Sequence, residues 1–303
     1  MKLDKIRNLF QGRNLRIFRF IIQLSSFLLF NFGFYIYIQY LFVGIILPIN
    51  SGFGSQFTII QGAWNVIERS LSLAIIPFLA IGILILFSIL FGRLTCGWIC
   101  PFGFIQDMIS KLPTKKTKLK QETEGTFAWL VLIIIGISLI AALFVGYLPI
   151  IRGDVAYLGP FTYGLWSQLD PYNFLFSILP QTLRENTLNL SVGFFEFFVQ
   201  NPIFVVQVIF TCLVFALQYW LTRIYCRFLC PTGGCMGYLS NYGFLGLKRD
   251  PVTCNKCRKC EDACPMNVPI LKLEIKRMRH RSCILCLECV ASCPEKSLKI
   301  AFS

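Results

Sequence analysis

The residues in this sequence with the greatest capacity for chemistry are its 14 cysteines, in a chain of 303 residues. Eight of them form two copies of the pattern C-x2-C-x2-C-x3-C-P near the C-terminus, CNKCRKCEDACP and CILCLECVASCP. These cysteines are Cys254, Cys257, Cys260 and Cys264 in the first run, and Cys283, Cys286, Cys289 and Cys293 in the second. Three closely spaced thiolates with a fourth nearby are typical of [4Fe-4S] ligation, whereas zinc sites use two well-separated C-x2-C pairs. The two runs therefore predict two [4Fe-4S] clusters.

Ligation is predicted to cross between the two runs, because the fourth cysteine of such a run binds the other cluster. The first cluster is assigned Cys254, Cys257, Cys260 and Cys293. The second cluster is assigned Cys283, Cys286, Cys289 and Cys264. Each run ends in a proline, which turns the chain away from the site.

A second repeated motif contains four more cysteines. LTCGWICPFGF and IYCRFLCPTGG start 130 residues apart and, with the preceding arginines, align as R-x-x-C-x-x-x-C-P-x-G. The cysteines of this motif are Cys96, Cys100, Cys226 and Cys230. Residues four apart on a helical turn share a face, so two halves packed about a pseudo-axis would bring the four thiolates together. They would then bind a third iron–sulfur cluster or a single metal ion.

Two alternatives remain for these four cysteines. Each pair would cycle between dithiol and disulfide if its thiols had lowered pKa values, or the pairs would be purely structural. The arginines that precede the motif, Arg93 and Arg223, are interpreted as membrane-flanking anchors in preference to partners of thiolates or of a cluster. Cys212, among Phe, Leu and Val, is predicted to be a small buried hydrophobe, and Cys235 has no assigned role.

Long apolar segments must position these motifs. Hydrophobic residues make up 55% of the chain and charged residues 15%, against about 25% charged residues in soluble domains. Stretches of about 20 apolar residues are long enough to cross a bilayer as helices, and they predict four spans, at 20–46, 71–92, 126–148 and 202–222. The predicted domains are a basic N-terminal segment (1–19), a membrane domain (20–248) and a two-cluster domain (249–303).

The charge distribution predicts the orientation of the spans. Segments 1–19, 93–125 and 223–303 contain 26 of the 29 Lys and Arg residues. The positive-inside rule therefore predicts a multi-pass protein of the cytoplasmic (inner) membrane with both termini in the cytoplasm. The net charge of +14 fits this orientation and contact with anionic membrane lipid. The sequence shows no nucleic-acid recognition motif, so no nucleic-acid partner is expected.

Haem and ion transport are not expected. The single histidine, His280, lies in the C-terminal segment and is predicted to be a solvated surface residue. The sequence has neither histidines within the predicted spans, which could serve as axial ligands, nor a C-x-x-C-H attachment motif. The middles of the predicted spans contain no Asp, Glu, Lys or Arg, which argues against a pump or transporter.

The tail, about residues 250–303, resembles a bacterial two-cluster ferredoxin domain. Nearly the whole chain resembles the NapH/MauN group of polyferredoxin-like membrane proteins, whose relatives include CcoG and the membrane part of NosR. The resemblance implies an all-α transmembrane bundle of four helices followed by an α+β two-[4Fe-4S] ferredoxin-like domain. It also implies an electron-transfer component of a quinol dehydrogenase, which passes electrons between the quinone pool and a redox partner protein. The alternative function is an accessory reductase that supplies electrons for the maturation or reactivation of a metalloenzyme, as in copper handling.

The position of a quinone site is left open by the sequence. Segments 49–70 and 149–201, predicted to be external, are rich in aromatic residues and hold few charges. The candidates to line a quinol pocket there are Tyr163, Trp166, Tyr172 and Glu196. The favoured alternative for these residues is an aromatic belt with surface helices. A site on the cytoplasmic side, beside the C-x-x-x-C-P sulfurs, would shorten the electron path.

Overall fold

The computed structural model describes residues 12–32, 46–51, 60–112, 117–152, 161–162, 164–184 and 201–302. This part of the chain is mainly helical and also contains two small two-stranded sheets. The α-helices, numbered α1 to α13, are Gly12–Phe32, Ala63–Ser72, Phe78–Phe91, Leu94–Trp98, Pro101–Ile109, Gln121–Arg152, Leu165–Leu169, Pro171–Asn173, Leu179–Arg184, Pro202–Trp220, Pro231–Leu239, Lys259–Asp262 and Glu288–Ala291. The π-helical turns are Phe174–Ile178 and Tyr225–Leu229, and the 3-10 turns are Ser240–Tyr242 and Ile270–Lys272. The strands, β1 to β4, are Ile46–Leu47, Gln61–Gly62, Leu245–Arg249 and Leu298–Phe302.

Two of the described helices are long and apolar enough to cross a membrane, α6 over Gln121–Pro149 and α10 over Pro202–Trp220. They coincide with the predicted spans 126–148 and 202–222. Much of their apolar surface faces outwards, and Trp129 and Ile140 on α6 are 67% and 69% exposed. Apolar patches of this size mark a surface that lipid or another protein covers.

The predicted span 71–92 is not a single helix. Helix α2 ends at Ser72, and the apolar helix α3 begins only at Phe78 and is about 21 Å long. Between them Ala74 has a φ of 58°, and Pro77 cannot donate a backbone hydrogen bond, so the helix is interrupted. The first helix, α1, starts at Gly12 and not at residue 20, and residues 33–45 of the predicted first span lie outside the described residues.

The C-terminal segment forms a small domain with internal repetition. Strands β3 and β4 pair antiparallel along their full length. Left-handed backbone recurs at equivalent positions of the two cysteine runs, 29 residues apart, at Lys256 and Leu285, at Arg258 and Leu287, and at Asn267 and Lys296. Residues other than glycine adopt this conformation only rarely. The same exceptions in both runs show that the two loops have the same shape.

Contacts bring the N-terminal end of α1, the segment 117–120 and the C-terminal domain to one end of the molecule. The Arg16 guanidinium pairs with Glu288 of the second cysteine run. Lys118 Nζ lies 2.8 Å from Asp262 Oδ1 of the first run. The three basic segments that were predicted to share one side of the membrane are therefore adjacent in the fold.

Candidate iron–sulfur sites

The first set of predicted ligands lines one small cavity. The four cysteines in its walls are Cys254, Cys257, Cys260 and Cys293. Cys257 is exposed and Cys260 is buried, so this site, the outer site, lies just beneath the surface. Asn255 Oδ1 accepts a hydrogen bond from the Cys257 amide at 3.2 Å, which closes the loop. Ser297 Oγ lies 3.3 Å from Cys293 Sγ.

The second set lines a separate small cavity, the inner site. Its four cysteines are Cys264, Cys283, Cys286 and Cys289. The remaining walls are apolar and include Leu247, Met266 and Ile284. Burial raises the pKa of Cys283 to about 11, and burial with the nearby thiol of Cys286 raises the pKa of Cys264 to about 12. Thiolates here therefore need positive charge close by, which bound iron would supply.

Each cavity takes three cysteines from one run and the fourth from the other run. The structure thus brings together the two crossed sets that the spacing predicts. Neither cavity has a carboxylate in its wall, so the donor set is the all-thiolate one that [4Fe-4S] clusters use. Among the described residues, no three His, Cys, Asp or Glu side chains could hold a single metal ion. A cluster separates its four thiolates more widely than a single ion does, because each thiolate binds a different iron.

The C-x-x-x-C-P cysteines form a third group, the four-thiol centre. They are Cys96, Cys100, Cys226 and Cys230, with exposed fractions of 4–7%. In both repeats the first cysteine lies on a short helical turn, and the second precedes a helix with proline at its first position. Electrostatic interactions link the Cys230 thiol to each of the other three. The two copies of the motif therefore meet at these thiols.

Arg93 and Arg223 each donate a hydrogen bond to the cysteine motif of the other repeat. Arg93 Nη2 donates to the Cys226 carbonyl at 2.8 Å, and Arg223 Nη1 donates to the Cys96 carbonyl at 3.1 Å. Both arginines are buried, with 3% and 0% exposed, so their interpretation as membrane-flanking anchors is wrong. The physical reason is that carbonyls of the opposite repeat satisfy guanidinium donors inside the protein.

The glycine of each motif leaves room for the arginine of the other repeat. A Cβ on Gly233 would lie 2.7 Å from Arg93 Nη2. A Cβ on Gly103 would lie 2.9 Å from the Cys96 carbonyl oxygen and 3.4 Å from Arg223 Nη1. The arginine and the glycine of R-x-x-C-x-x-x-C-P-x-G therefore act as one packing unit across the two repeats.

The two arginines differ in their charge partners. Arg223 makes a two-pronged ion pair with Asp107, at 2.6 and 2.7 Å, and Arg19 pairs with the same carboxylate. Burial by itself would raise the pKa of Asp107, but the charges of Arg223 and Arg19 outweigh it and lower the pKa to about 2. In the second repeat Gly237 stands where Asp107 stands in the first. Arg93 has no carboxylate partner in the described part of the chain.

A buried polar network that sequence reasoning missed adjoins the four-thiol centre. Tyr225, within the second motif, donates its hydroxyl to Asp170 Oδ1 at 2.8 Å, and Asn50 Nδ2 donates to the same oxygen at 3.0 Å. Tyr172 donates its hydroxyl to Asn31 Oδ1 at 2.6 Å. The signal available in the sequence was an asparagine, Asn31, inside a mainly apolar predicted span. Buried polar groups are usually paired, but the second oxygen of the carboxylate, Asp170 Oδ2, has no hydrogen-bond partner in the described part of the chain.

The aromatic-belt interpretation is wrong for the described part of the external segments. Tyr172 is fully buried, and Trp166 is half-buried with its ring against that of Phe210. The hydrogen bonds of the polar network hold this segment inside the helical domain. Tyr163 and Glu196 lie outside the described residues.

The surroundings of His280, Cys212 and Cys235 also bear on the sequence predictions. His280 is half-buried rather than solvated, and burial with the charges of Arg281 and Arg93 lowers its pKa to about 4. Cys212 is exposed on α10, so the predicted burial is wrong, because the outward face of this helix is apolar as well. Cys235 is half-buried, and burial raises its pKa to about 11.

The chain matches two protein families, both defined by [4Fe-4S] binding. The family described as "4Fe-4S binding domain" matches residues 73–120 and again residues 201–249, and each match contains one C-x-x-x-C-P motif. The family described as "4Fe-4S dicluster domain" matches residues 246–294, which contain both ferredoxin-type runs. No solved structure matches the chain.

Whole proteins with similar sequences come from bacteria and archaea. An uncharacterized protein of Methanocaldococcus jannaschii is 24% identical over 224 residues, 73% of this chain and 77% of that protein. The protein YccM of Escherichia coli is 25% identical over 251 residues, 83% of this chain and 61% of YccM. The ferredoxin-type protein NapH of Escherichia coli is 23% identical over 226 residues, 71% of this chain and 64% of NapH. The matches to YccM and NapH thus span less than two thirds of those proteins.

Proposed function

We propose that the chain, an iron–sulfur electron-transport protein related to NapH and YccM, passes electrons between the membrane quinone pool and a redox partner protein. Three [4Fe-4S] clusters would be held by the outer site, the inner site and the four-thiol centre, and when bound they supply one-electron carriers. The observation that carries this proposal is the direct packing of the first C-x-x-x-C-P motif on the loop of the inner site.

This packing leaves no space between the two ligand loops. A Cβ on Gly97 would lie 2.4 Å from the Ile284 carbonyl oxygen, so only glycine fits there. Trp98 Nε1 donates to the Leu285 carbonyl at 2.9 Å. Both carbonyls belong to the stretch between the first two cysteines of the second run. Such proximity supports electron exchange between the four-thiol centre and the inner site.

The order of the sites supports a route from the membrane domain to solvent. The inner site has apolar walls and packs on the membrane domain, whereas the outer site carries the exposed Cys257. Lys256 and Arg258, which flank Cys257, are exposed as well. The outer site is therefore the place where a redox partner protein would exchange electrons with this chain.

Burial favours a bound cluster over redox dithiols at the four-thiol centre. Reactive dithiols need a lowered thiol pKa. Burial together with the nearby Cys96 raises the pKa of Cys100 to about 11, and burial raises the pKa of Cys226 and Cys230 as well. Metal binding removes the thiol proton and compensates the thiolate charge. Each motif also lies within a match to a 4Fe-4S binding domain.

We further propose that the membrane domain is a four-span bundle with both termini in the cytoplasm. The candidate spans α6 and α10, the apolar helix α3 and helix α1 would supply the four crossings. The contacts that gather the basic segments at one end support the common side of both termini. The C-terminal domain would begin near residue 245, where β3 starts, slightly before the predicted boundary at 249.

Menadione is expected to reoxidise the dithionite-reduced clusters of the purified protein. Each menadione molecule takes up two electrons and two protons, and two clusters supply these electrons one at a time. The quinone-site inhibitor 2-heptyl-4-hydroxyquinoline N-oxide (HQNO) should slow this reoxidation at least about tenfold, a change of about 1.4 kcal/mol in the barrier. Stopped-flow absorbance and EPR follow the clusters. Reoxidation that is insensitive to HQNO would contradict a quinone function. In that case reduction of Cu(II) by the reduced protein would support the accessory-reductase alternative.

A further inference from the structure

We propose that the quinone headgroup binds in the cleft between the start of α6, helix α11 and the second cysteine run, a proposal that rests on the function proposed above. The cleft has an accessible volume of about 180 Å³, so it would hold a headgroup and not a whole drug-sized ligand. Its wall combines apolar side chains, including Ala128, Val131 and Phe228, with the polar Arg93 and His280. An amphipathic ligand with a polar ring and an apolar tail fits such a wall.

The cleft lies between the two kinds of cysteine site. Gly233 and Gly234 in its wall follow Cys230 of the four-thiol centre by three and four residues. Ser282, also in its wall, directly precedes Cys283 of the inner site. A redox-active ring in this cleft would therefore be adjacent to both sites and would need no carrier across the whole bilayer.

An unsatisfied hydrogen-bond donor in the cleft wall points to a ligand. Arg93 is 3% exposed, and its Nη1 and Nη2 donate to the carbonyls of Arg281 and Cys226. Its Nε has no partner in the described part of the chain. Buried donors of this kind are nearly always paired in folded proteins. A quinone carbonyl oxygen or a quinol hydroxyl oxygen would accept this hydrogen bond.

Helix α6 gives the cleft an apolar side and a connection to lipid. Glu124, Ala128 and Val131 follow helical spacing and are buried along the face that lines the cleft. Phe127 and Trp129, on the outward surface of the same turns, are 44% and 67% exposed. An isoprenoid tail leaving the cleft would therefore continue along an apolar surface of the kind that membrane lipid covers.

The wall carries three guanidinium groups and one carboxylate, those of Arg93, Arg227, Arg281 and Glu124. Arg227 is paired with Glu124, so its charge is already matched within the wall. His280 adds a polar, half-buried side chain to the wall. The apolar side chains and the hydrogen-bond donors of the wall, and not its charge, therefore argue for a quinone headgroup.

The test uses two glycines of α6. Gly125 lines the cleft and a Cβ there would meet no atom within 4 Å, so Gly125→Leu is expected to place its side chain in the space of the cleft. Gly136 has the same free space and lies outside the cleft wall, which makes Gly136→Leu the matched control. Both changes raise helix propensity alike. Binding is measured by the quenching of HQNO fluorescence, and function by the HQNO-sensitive reoxidation by menadione.

Gly125→Leu is expected to weaken HQNO binding and to slow the HQNO-sensitive reaction at least about tenfold, which corresponds to about 1.4 kcal/mol. Gly136→Leu should behave as the wild type, and both variants should keep the wild-type iron content. Equal HQNO affinity in Gly125→Leu and wild type would overturn the location of the site. Failure of the wild type itself to bind HQNO would instead contradict the proposed function. Loss of a co-purified anionic phospholipid from Gly125→Leu, with unchanged HQNO affinity, would make the cleft a lipid site and overturn the proposal.

Discussion

Changing Cys254 and Cys293 together to serine is expected to remove one [4Fe-4S] cluster completely and to leave the other intact. In the crossed arrangement both cysteines belong to the outer site, although they come from different runs. A cluster that loses two of its four thiolates is lost, while the inner site keeps all of its ligands. The variant should therefore contain about four irons fewer than the wild type and should lack one EPR signal.

The matched control changes Cys254 and Cys264, which belong to the same run but line different cavities. Each cluster then loses one ligand, and both EPR signals should change. Iron and acid-labile sulfide analysis with EPR on the reduced proteins separates the two patterns. The reverse result, one intact signal in Cys254→Ser/Cys264→Ser and two altered signals in Cys254→Ser/Cys293→Ser, would show that each run binds its own cluster.

Asp107→Asn is expected to lower the free energy of unfolding by about 3–5 kcal/mol, the usual effect of breaking a buried ion pair. The amide has one acceptor oxygen and no charge, so the fully buried Arg223 would keep at most one of its two hydrogen bonds, and Arg19 would lose its ion pair. An uncompensated guanidinium would then remain between the two C-x-x-x-C-P motifs. Thermal unfolding in detergent, followed by tryptophan fluorescence, measures the change.

The control for Asp107→Asn is Asp262→Asn, which breaks the exposed pair with Lys118 and should have little effect. The pH dependence gives a second readout. Because the pKa of Asp107 is lowered to about 2 in the folded protein, its stabilisation is complete above the unfolded pKa of about 3.9 and is lost as the pH falls toward 2. The difference between wild type and Asp107→Asn should therefore stay constant from pH 7 to about 5. Equal melting of Asp107→Asn and Asp262→Asn would contradict the role assigned to the buried network.

The two sets of cysteine ligands could be predicted from the sequence, because the spacing of the cysteines determines which thiols can reach the same cluster. Three cysteines within seven residues can surround only one site, and the structure places the fourth, Cys293 or Cys264, in the expected cavity. The repeated C-x-x-x-C-P motif likewise predicted that Cys96 and Cys226 would approach each other. These conclusions depend on local spacing and on repetition, which a sequence displays directly.

The hydrogen bonds of Arg93 and Arg223 to the opposite repeat could not be predicted from the sequence, because the direction of a side chain next to a membrane span depends on what packs against it. Hydropathy placed both arginines at a membrane boundary, where anchors are common. Only the assembled repeats offer them the carbonyls of Cys226 and Cys96. The same limit applies to Asp170, whose hydrogen-bond partners come from distant segments of the chain.

The sequence contained a signal for the helix break before the first C-x-x-x-C-P motif, but averaging the hydropathy over a long window hid it. Residues 71–92 are apolar throughout, and a window of about 20 residues treats them as one span. Pro77 within that stretch predicts a break, since proline lacks the N–H that a helix interior requires. The structure has its break there, between Ser72 and Phe78.

The most direct test of an iron–sulfur chain from the membrane to the ferredoxin domain is the iron and acid-labile sulfide content of the anaerobically purified protein. The comparison is between the wild type and Cys96→Ser/Cys226→Ser. Three clusters predict about twelve irons per chain in the wild type and about eight in the variant, with both ferredoxin-type EPR signals retained. About eight irons in both proteins would contradict a cluster at the four-thiol centre and would remove the proposed link between quinone and the ferredoxin domain.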